Sequence, residues 1–342
     1  MQTTIHVFPQ AETTSRTTSR RWLSRVAIAT AACALASASW AQDKVTFLTS
    51  WYAQAEHGGF YQAVAEGIYK KHGLDVTIKM GGPQVNGMQL LAAGQADFIM
   101  GYDLQVMKSI EQGLPVTTVA TSFQKDLQGL MTHEDVSGLG ALKGKTILVS
   151  TSGRPTWWPW LKAKYGYTEE QARPYTFNLQ PFFADANTVQ QAYPSSEPYQ
   201  ASKAGVKTKF FLFADNGFPP YGTSIVSTDK LVAEKPELVQ RFVRASIEGW
   251  KSYLASPAAG NVLIKRDNPK MDDEQLAFAI KQMKELKVFD GGDAATLGAG
   301  VMTDARWKQT YDFMVAAGLL KADVDWKKAY TTKFVKDLKV MP

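Results

Sequence analysis

Five short clusters hold the side chains able to do chemistry in this chain. Trp51-Tyr52 is an aromatic pair, with His57 a little further on. Gly101-Tyr102-Asp103 follows an apolar run. Ser150-Thr151-Ser152-Gly153-Arg154 leads into Trp157-Trp158-Pro159-Trp160, and Glu197-Pro198-Tyr199 closes the set. The aromatic residues either fill core or form a flat wall for a planar guest; an offset ring stack adds about 0.5–1.5 kcal/mol beyond area burial. Asp103 either caps the helix that begins at Leu104 or accepts from a ligand amino group. Ser152 and its neighbours offer hydroxyls and free N–H groups to an anion or carbonyl oxygen. Arg154 is either a carboxylate, sulfonate or phosphate binder or a solvated surface residue. Three tryptophans so close together on one helix cannot all be buried on one side, so at least one of Trp157, Trp158 and Trp160 is expected to face a cleft or a partner. Glu197 is either an ordinary helix-start glutamate or an acceptor of two hydrogen bonds from an amino-bearing ring edge. Among apolar surroundings, an unpaired ligand N–H would then be costly.

No catalytic or metal set accompanies these clusters. His57 has no second His or Cys near it in sequence, and His72 and His133 lie elsewhere, so no metal site is expected. Lys143-Gly144-Lys145-Thr146 evokes a phosphate loop, but Leu139 stands where its first glycine belongs, and a strand rather than a helix follows. No Ser–His–acid set in suitable order is present. No cofactor is expected.

These clusters need elements to position them. Val45–Leu48, Val76–Ile78, Phe98–Met100 and Val116–Ala120 read as strands. Helical patterns lie between them at Gly59–His72, Gly87–Ala93 and Leu104–Gln112, stopped by Gly73, Gly94 and Gly113. This alternation argues a mainly parallel α/β sheet, and a second such cycle begins near Leu130. After Tyr221-Gly222 the texture turns helical, with Leu238, Phe242, Ser246 and Trp250 along one face of a long amphipathic helix. The order fits two α/β lobes joined by two crossovers, residues 43–130 plus 223–342 in one and 131–222 in the other. In such sheets a guest sits beyond the strands' C-terminal ends, where Trp51 and Tyr102 fall.

The chain has 342 residues, and its first 41 read as a cleaved export signal. Arg16, Arg20, Arg21 and Arg25 form a basic region, Val26–Ala38 is apolar but too short to span a bilayer, and Ser39-Trp40-Ala41 suits cleavage near Ala41. Cys33, the one cysteine, leaves with that segment, so the mature chain has no disulfide and no thiolate. Its 34 basic and 31 acidic residues are too balanced to imply nucleic acid. A periplasmic monomer of two domains is the expectation.

The run from Trp51 through His57, Phe60, Tyr61, Ala63, Gly67 and Tyr69 to Gly73-Leu74-Asp75-Val76 resembles the start of the NMT1/THI5-like family of solute-binding proteins, the SsuA- and ThiY-like group. Leu91–Gly101, Leu142–Ser150, Ser195–Gln200, Asp229–Ala245 and Tyr330–Val335 continue the likeness over nearly the whole mature chain. The resemblance implies a type II periplasmic-binding fold, closure on a ligand between the lobes, and delivery to an ABC permease at the inner membrane. It implies ligands such as thiamine-pyrimidine precursors, riboflavin, alkanesulfonates, taurine or nitrate, and it places the Glu197 carboxylate at the cleft. Aromatic richness and that carboxylate favour a formyl- or hydroxymethyl-aminopyrimidine. The family's enzymatic branch, which makes thiamine pyrimidine at the expense of its own histidine, is a remote alternative: Gln105 stands near that histidine's place, and the mature chain has no cysteine. A ligand-sensing subunit with no transport role is a third reading.

Overall fold

A computed structural model of the chain describes residues 42–341, together with 1–4, 6 and 10. The apolar run Val26–Ala38 and the cleavage expected near Ala41 lie outside the described residues.

Strands β1 (Asp43–Leu48), β2 (Leu74–Lys79) and β3 (Phe98–Gly101) run parallel in the order β2-β1-β3, with Val45 opposite Val76 and Phe47 opposite Phe98. β4 (Val116–Phe123) belongs to the same sheet. The chain then leaves through residues 124–128 to a second sheet. There β5 (Gly129–His133), β6 (Thr146–Val149), β7 (Ala172–Pro174), β8 (Thr188–Ala192) and β9 (Thr208–Leu212) take the order β7-β6-β8-β5-β9. It returns through residues 213–221 to β10 (Gly222–Thr228), which inserts antiparallel between β3 and β4. Two α/β lobes joined by two crossovers result. β5 opens at Gly129 and β10 at Gly222.

Periodicity explains the packing. The helix Pro236–Ala255 buries Leu238, Phe242, Ser246 and Trp250, the face its spacing announced. Phe242 stacks on Phe98 at 4.1 Å and on Tyr69 at 5.4 Å, joining helix to sheet through rings. The helix Gly58–Ala65 approaches so closely that a Cβ on Gly59 would lie 2.2 Å from the Trp250 ring. The single helix expected over Gly59–His72 is two pieces, Gly58–Ala65 and Ile68–Lys71, because Gly67 between them takes a left-handed φ of 66°. Among the described residues no helix is long and apolar enough to cross a membrane.

Candidate ligand-binding site

A cavity of about 30 Å³ lies between the two sheets, at the C-terminal ends of β1, β3, β6 and β8. Ser50, Trp51, Gln54, His57 and Tyr102 form the wall on the first lobe. Ser152, Gln191, Tyr193 and Glu197 form the facing wall, and Gln128 and Thr223 contribute from the ends of the crossovers. Parallel strands end here with no further ladder, so loops carrying side chains converge at this edge.

Glu197 opens the helix Glu197–Lys203 and is buried. Its Oε1 accepts from the Tyr175 hydroxyl at 2.6 Å and its Oε2 from the Tyr193 N–H at 3.0 Å. Burial pushes its carboxyl up to about 7; those two donors only partly offset the loss of water. The Tyr175 ring faces Trp51 of the other lobe, 5.7 Å between centroids and 21° from parallel. The hydroxyls of Tyr102 and Tyr193 meet across the cleft at 3.2 Å. His57 is fully buried, and desolvation drives its imidazole down to about 3, so it is neutral at any ordinary pH.

Three buried polar atoms around the cavity have no protein partner: Gln54 Oε1, His57 Nδ1 and Thr223 Oγ1. Leaving such atoms unpaired costs about 1–3 kcal/mol each, which a guest's polar edge would recover. Among the described lining residues there is no lysine or arginine.

The lobes touch around this cavity. Thr151 N–H donates to Pro83 O at 3.0 Å, and Gln84 Nε2 donates to Tyr175 O at 3.2 Å. The Ser195 hydroxyl donates to the buried carboxylate of Glu56, whose titration is raised by burial.

Of the residues singled out in the sequence, Trp51, His57, Tyr102, Ser152 and Glu197 line this one cavity. The others lie elsewhere. Tyr52 stands behind Trp51, at 6.2 Å edge to face, and against Phe177 at 5.8 Å. Asp103 is fully buried outside the lining and accepts from Tyr221 N–H and Ser224 Oγ, both at 2.9 Å. Trp157, Trp158 and Trp160 are all buried, contrary to the expectation that at least one of them faces out. Phe213 packs on Trp157 at 5.1 Å and Tyr167 on Trp158 at 6.0 Å, so two sides of the helix find aromatic cover at once. Arg154 pairs with Glu169 at 3.1 Å on the surface of the second lobe. Tyr199 sits at the rim, donating to Glu274 of the first lobe at 3.0 Å.

Sequence reasoning missed Tyr175, Gln191, Tyr193, Gln54 and Thr223. Tyr193 stands just ahead of Ser195-Ser196-Glu197, the run in which Glu197 was already a candidate. Tyr175 gave no signal, because it follows a three-residue strand, β7, whose register cannot be read from so short a run.

Two α/β lobes, two crossovers and a polar, aromatic cavity at the strand ends define a periplasmic-binding-protein fold. The solved alkanesulfonate-binding protein from Xanthomonas axonopodis pv. citri superposes with a TM-score of 0.62 at 14% identity, over 84% of this chain and 98% of that one. The sequence profile described as NMT1/THI5 like matches residues 54–259, and the chain belongs to that family. A riboflavin-binding protein from Chloroflexus aurantiacus is 28% identical over 304 residues, 86% of each chain. A formylaminopyrimidine-binding protein from Halalkalibacterium halodurans is 25% identical over 292 residues, 80% of this chain and 87% of that one.

Proposed function

We propose that this protein is the exported solute-binding subunit of an ABC importer, working in a periplasm as a monomer. On this reading it carries a small planar nitrogen heterocycle, such as a formyl- or hydroxymethyl-aminopyrimidine, to a permease in the inner membrane. It acts by binding and releases its guest unchanged. The observation that carries this reading is that Trp51 and Glu197 line one cavity and are joined behind it by Tyr175, which stacks on the first and donates to the second. Two rings from opposite lobes offer faces to a flat guest, and a carboxylate beside them accepts from its amino edge.

A ring held between two others needs roughly 7 Å between the outer faces, two contacts of about 3.5 Å. Trp51 and Tyr175 are 5.7 Å apart, so the lobes part to admit the guest and reclose on it. Contacts to both walls then favour the closed arrangement, a population shift that a permease reads. Glu197 disfavours a sulfonate or nitrate, and the described lining residues include no lysine or arginine to receive one, so we rank the anions behind the heterocycles.

Riboflavin is the second reading, supported by the relative from Chloroflexus aurantiacus, whose match spans 86% of this chain. A thermal-shift screen of residues 42–342 against formylaminopyrimidine, hydroxymethylpyrimidine, riboflavin, taurine, an alkanesulfonate and nitrate tests both, since a ligand of the native state raises the melting point by mass action. A pyrimidine response is expected. A response to the anions alone would overturn the assignment.

A further inference from the structure

Thr223 is the one cavity residue whose backbone is out of the ordinary. Its φ is +49°, in the left-handed region that β-branched side chains avoid. It is buried, it lines the cavity, and its hydroxyl has no protein partner. A backbone outlier and an orphaned hydroxyl thus coincide where the second crossover enters β10.

The surroundings hold that conformation from both sides. The carboxylate of Asp103 accepts from Tyr221 N–H and from Ser224 Oγ, straddling Thr223. Thr121 Oγ1 donates to Gly222 O at 2.9 Å, and Gly222 lies so near the first crossover that a Cβ on it would come within 3.0 Å of Lys125 O. Strained positions persist only where neighbours over-determine them, and they gather at ligand sites. None of these contacts uses the Thr223 hydroxyl, so packing of the turn does not account for a threonine here.

We propose that Thr223 is a specificity-determining ligand contact, and that Asp103 is the positioning residue that fixes the turn presenting it. The inference rests on reading the cavity as the ligand site. Gln54 Oε1 is an acceptor; the Thr223 hydroxyl adds a donor to the same cavity. It reads an acceptor on the guest, a ring nitrogen or a carbonyl or formyl oxygen, while Glu197 and Gln54 read its donors. A guest with N–H groups on one edge and an acceptor on another satisfies this set; an alkanesulfonate, with acceptors only, does not.

The test uses residues 42–342, with formylaminopyrimidine and riboflavin as probes in calorimetric titration. Thr223→Val keeps shape and strain but removes the hydroxyl; it should weaken whichever probe binds the wild type by about 10-fold. Thr223→Ser keeps the hydroxyl and should bind within about threefold of wild type. Thr223→Gly removes both; it should lose the same affinity while melting about 2 °C higher, because glycine adopts this backbone freely. In a double-mutant cycle, the affinity lost in Asp103→Asn should largely vanish in the Thr223→Val background. Undiminished binding by Thr223→Val, or a lower melting point for Thr223→Gly, overturns the role of Thr223, and additive losses overturn that of Asp103. If wild type binds neither probe, it is the cavity's ligand class that fails, and the melting point of Thr223→Gly still decides whether the turn is strained.

Discussion

The Tyr175 hydroxyl donates to Glu197 Oε1 at 2.6 Å while the ring of the same residue faces Trp51 across the cleft at 5.7 Å. One side chain therefore joins the polar and the aromatic halves of the site. It aims the carboxylate and supplies one jaw, so disturbing either function should disturb the other.

Replacing Glu197 by Gln should weaken an aminopyrimidine strongly and leave a sulfonate bound no more weakly. A hydrogen bond to a charged group contributes about 1.5–3 kcal/mol, or roughly 10- to 100-fold in affinity. Tyr175→Phe keeps the ring but frees Oε1, and its loss should be smaller. Calorimetry on both variants measures this; equal losses for pyrimidine and sulfonate would contradict the role given to Glu197.

Trp51→Ala should cost the stacking increment of about 0.5–1.5 kcal/mol plus the lost area, and Trp51→Phe should recover part of it. Wild-type tryptophan emission should change on binding, and the change should be reduced in Trp51→Phe. If emission responds fully without Trp51, the guest lies against another indole.

Melting temperature should fall as pH rises from 5 to 8. Burial raises the carboxyls of Glu197 and Asp126 to about 7 and that of Asp103 to about 6, and it raises Glu56 as well. Each such group stabilises the fold fully below its unfolded value near 4, and that stability is lost as pH climbs through its folded value. His57 works the other way: held down to about 3, its contribution is complete above 6.5 and is lost on acidification. Four acids outweigh one histidine between pH 5 and 7. Glu197→Gln should flatten the upper part of this slope in a pH series of thermal melts, and a melting point that rises toward pH 8 would refute the sign.

At the rim, Lys203 Nζ and the Tyr199 hydroxyl both reach Glu274 Oε2 of the opposite lobe, at 2.6 and 3.0 Å. These groups are exposed, and exposed pairs contribute little in salt. Glu274→Lys should speed ligand dissociation modestly at low ionic strength, and adding Lys203→Glu should restore it. Stopped-flow release rates in low and high salt decide this; a rate unmoved by either variant would mean the contact does not hold the cleft shut.

Much of the fold was legible because periodicity is local. Phe47, Phe98 and Phe242 fall on strand and helix faces that any chain of this pattern must bury, and Gly73, Gly94 and Gly113 announce where helices stop. The composition and the run from Trp51 to Val76 likewise marked a family and a class of action. Trp51, Tyr102 and Glu197 could be named as candidates because each follows a strand or opens a helix, positions readable one element at a time.

Which candidates meet was decided only by the tertiary structure. The aromatic look of Trp157 and Trp158 is the same whether they face a cleft or a core; Phe213 and Tyr167, distant in sequence, turned them inward. Asp103 was drawn to the crossover by Tyr221 and Ser224, more than a hundred residues away. Tyr175 and Thr223 matter through a ring facing another lobe and a backbone angle forced by distant contacts. Sequence spacing encodes the faces of single elements; the closing of two sheets over one another determines which faces share a space, because that depends on contacts made between residues far apart along the chain.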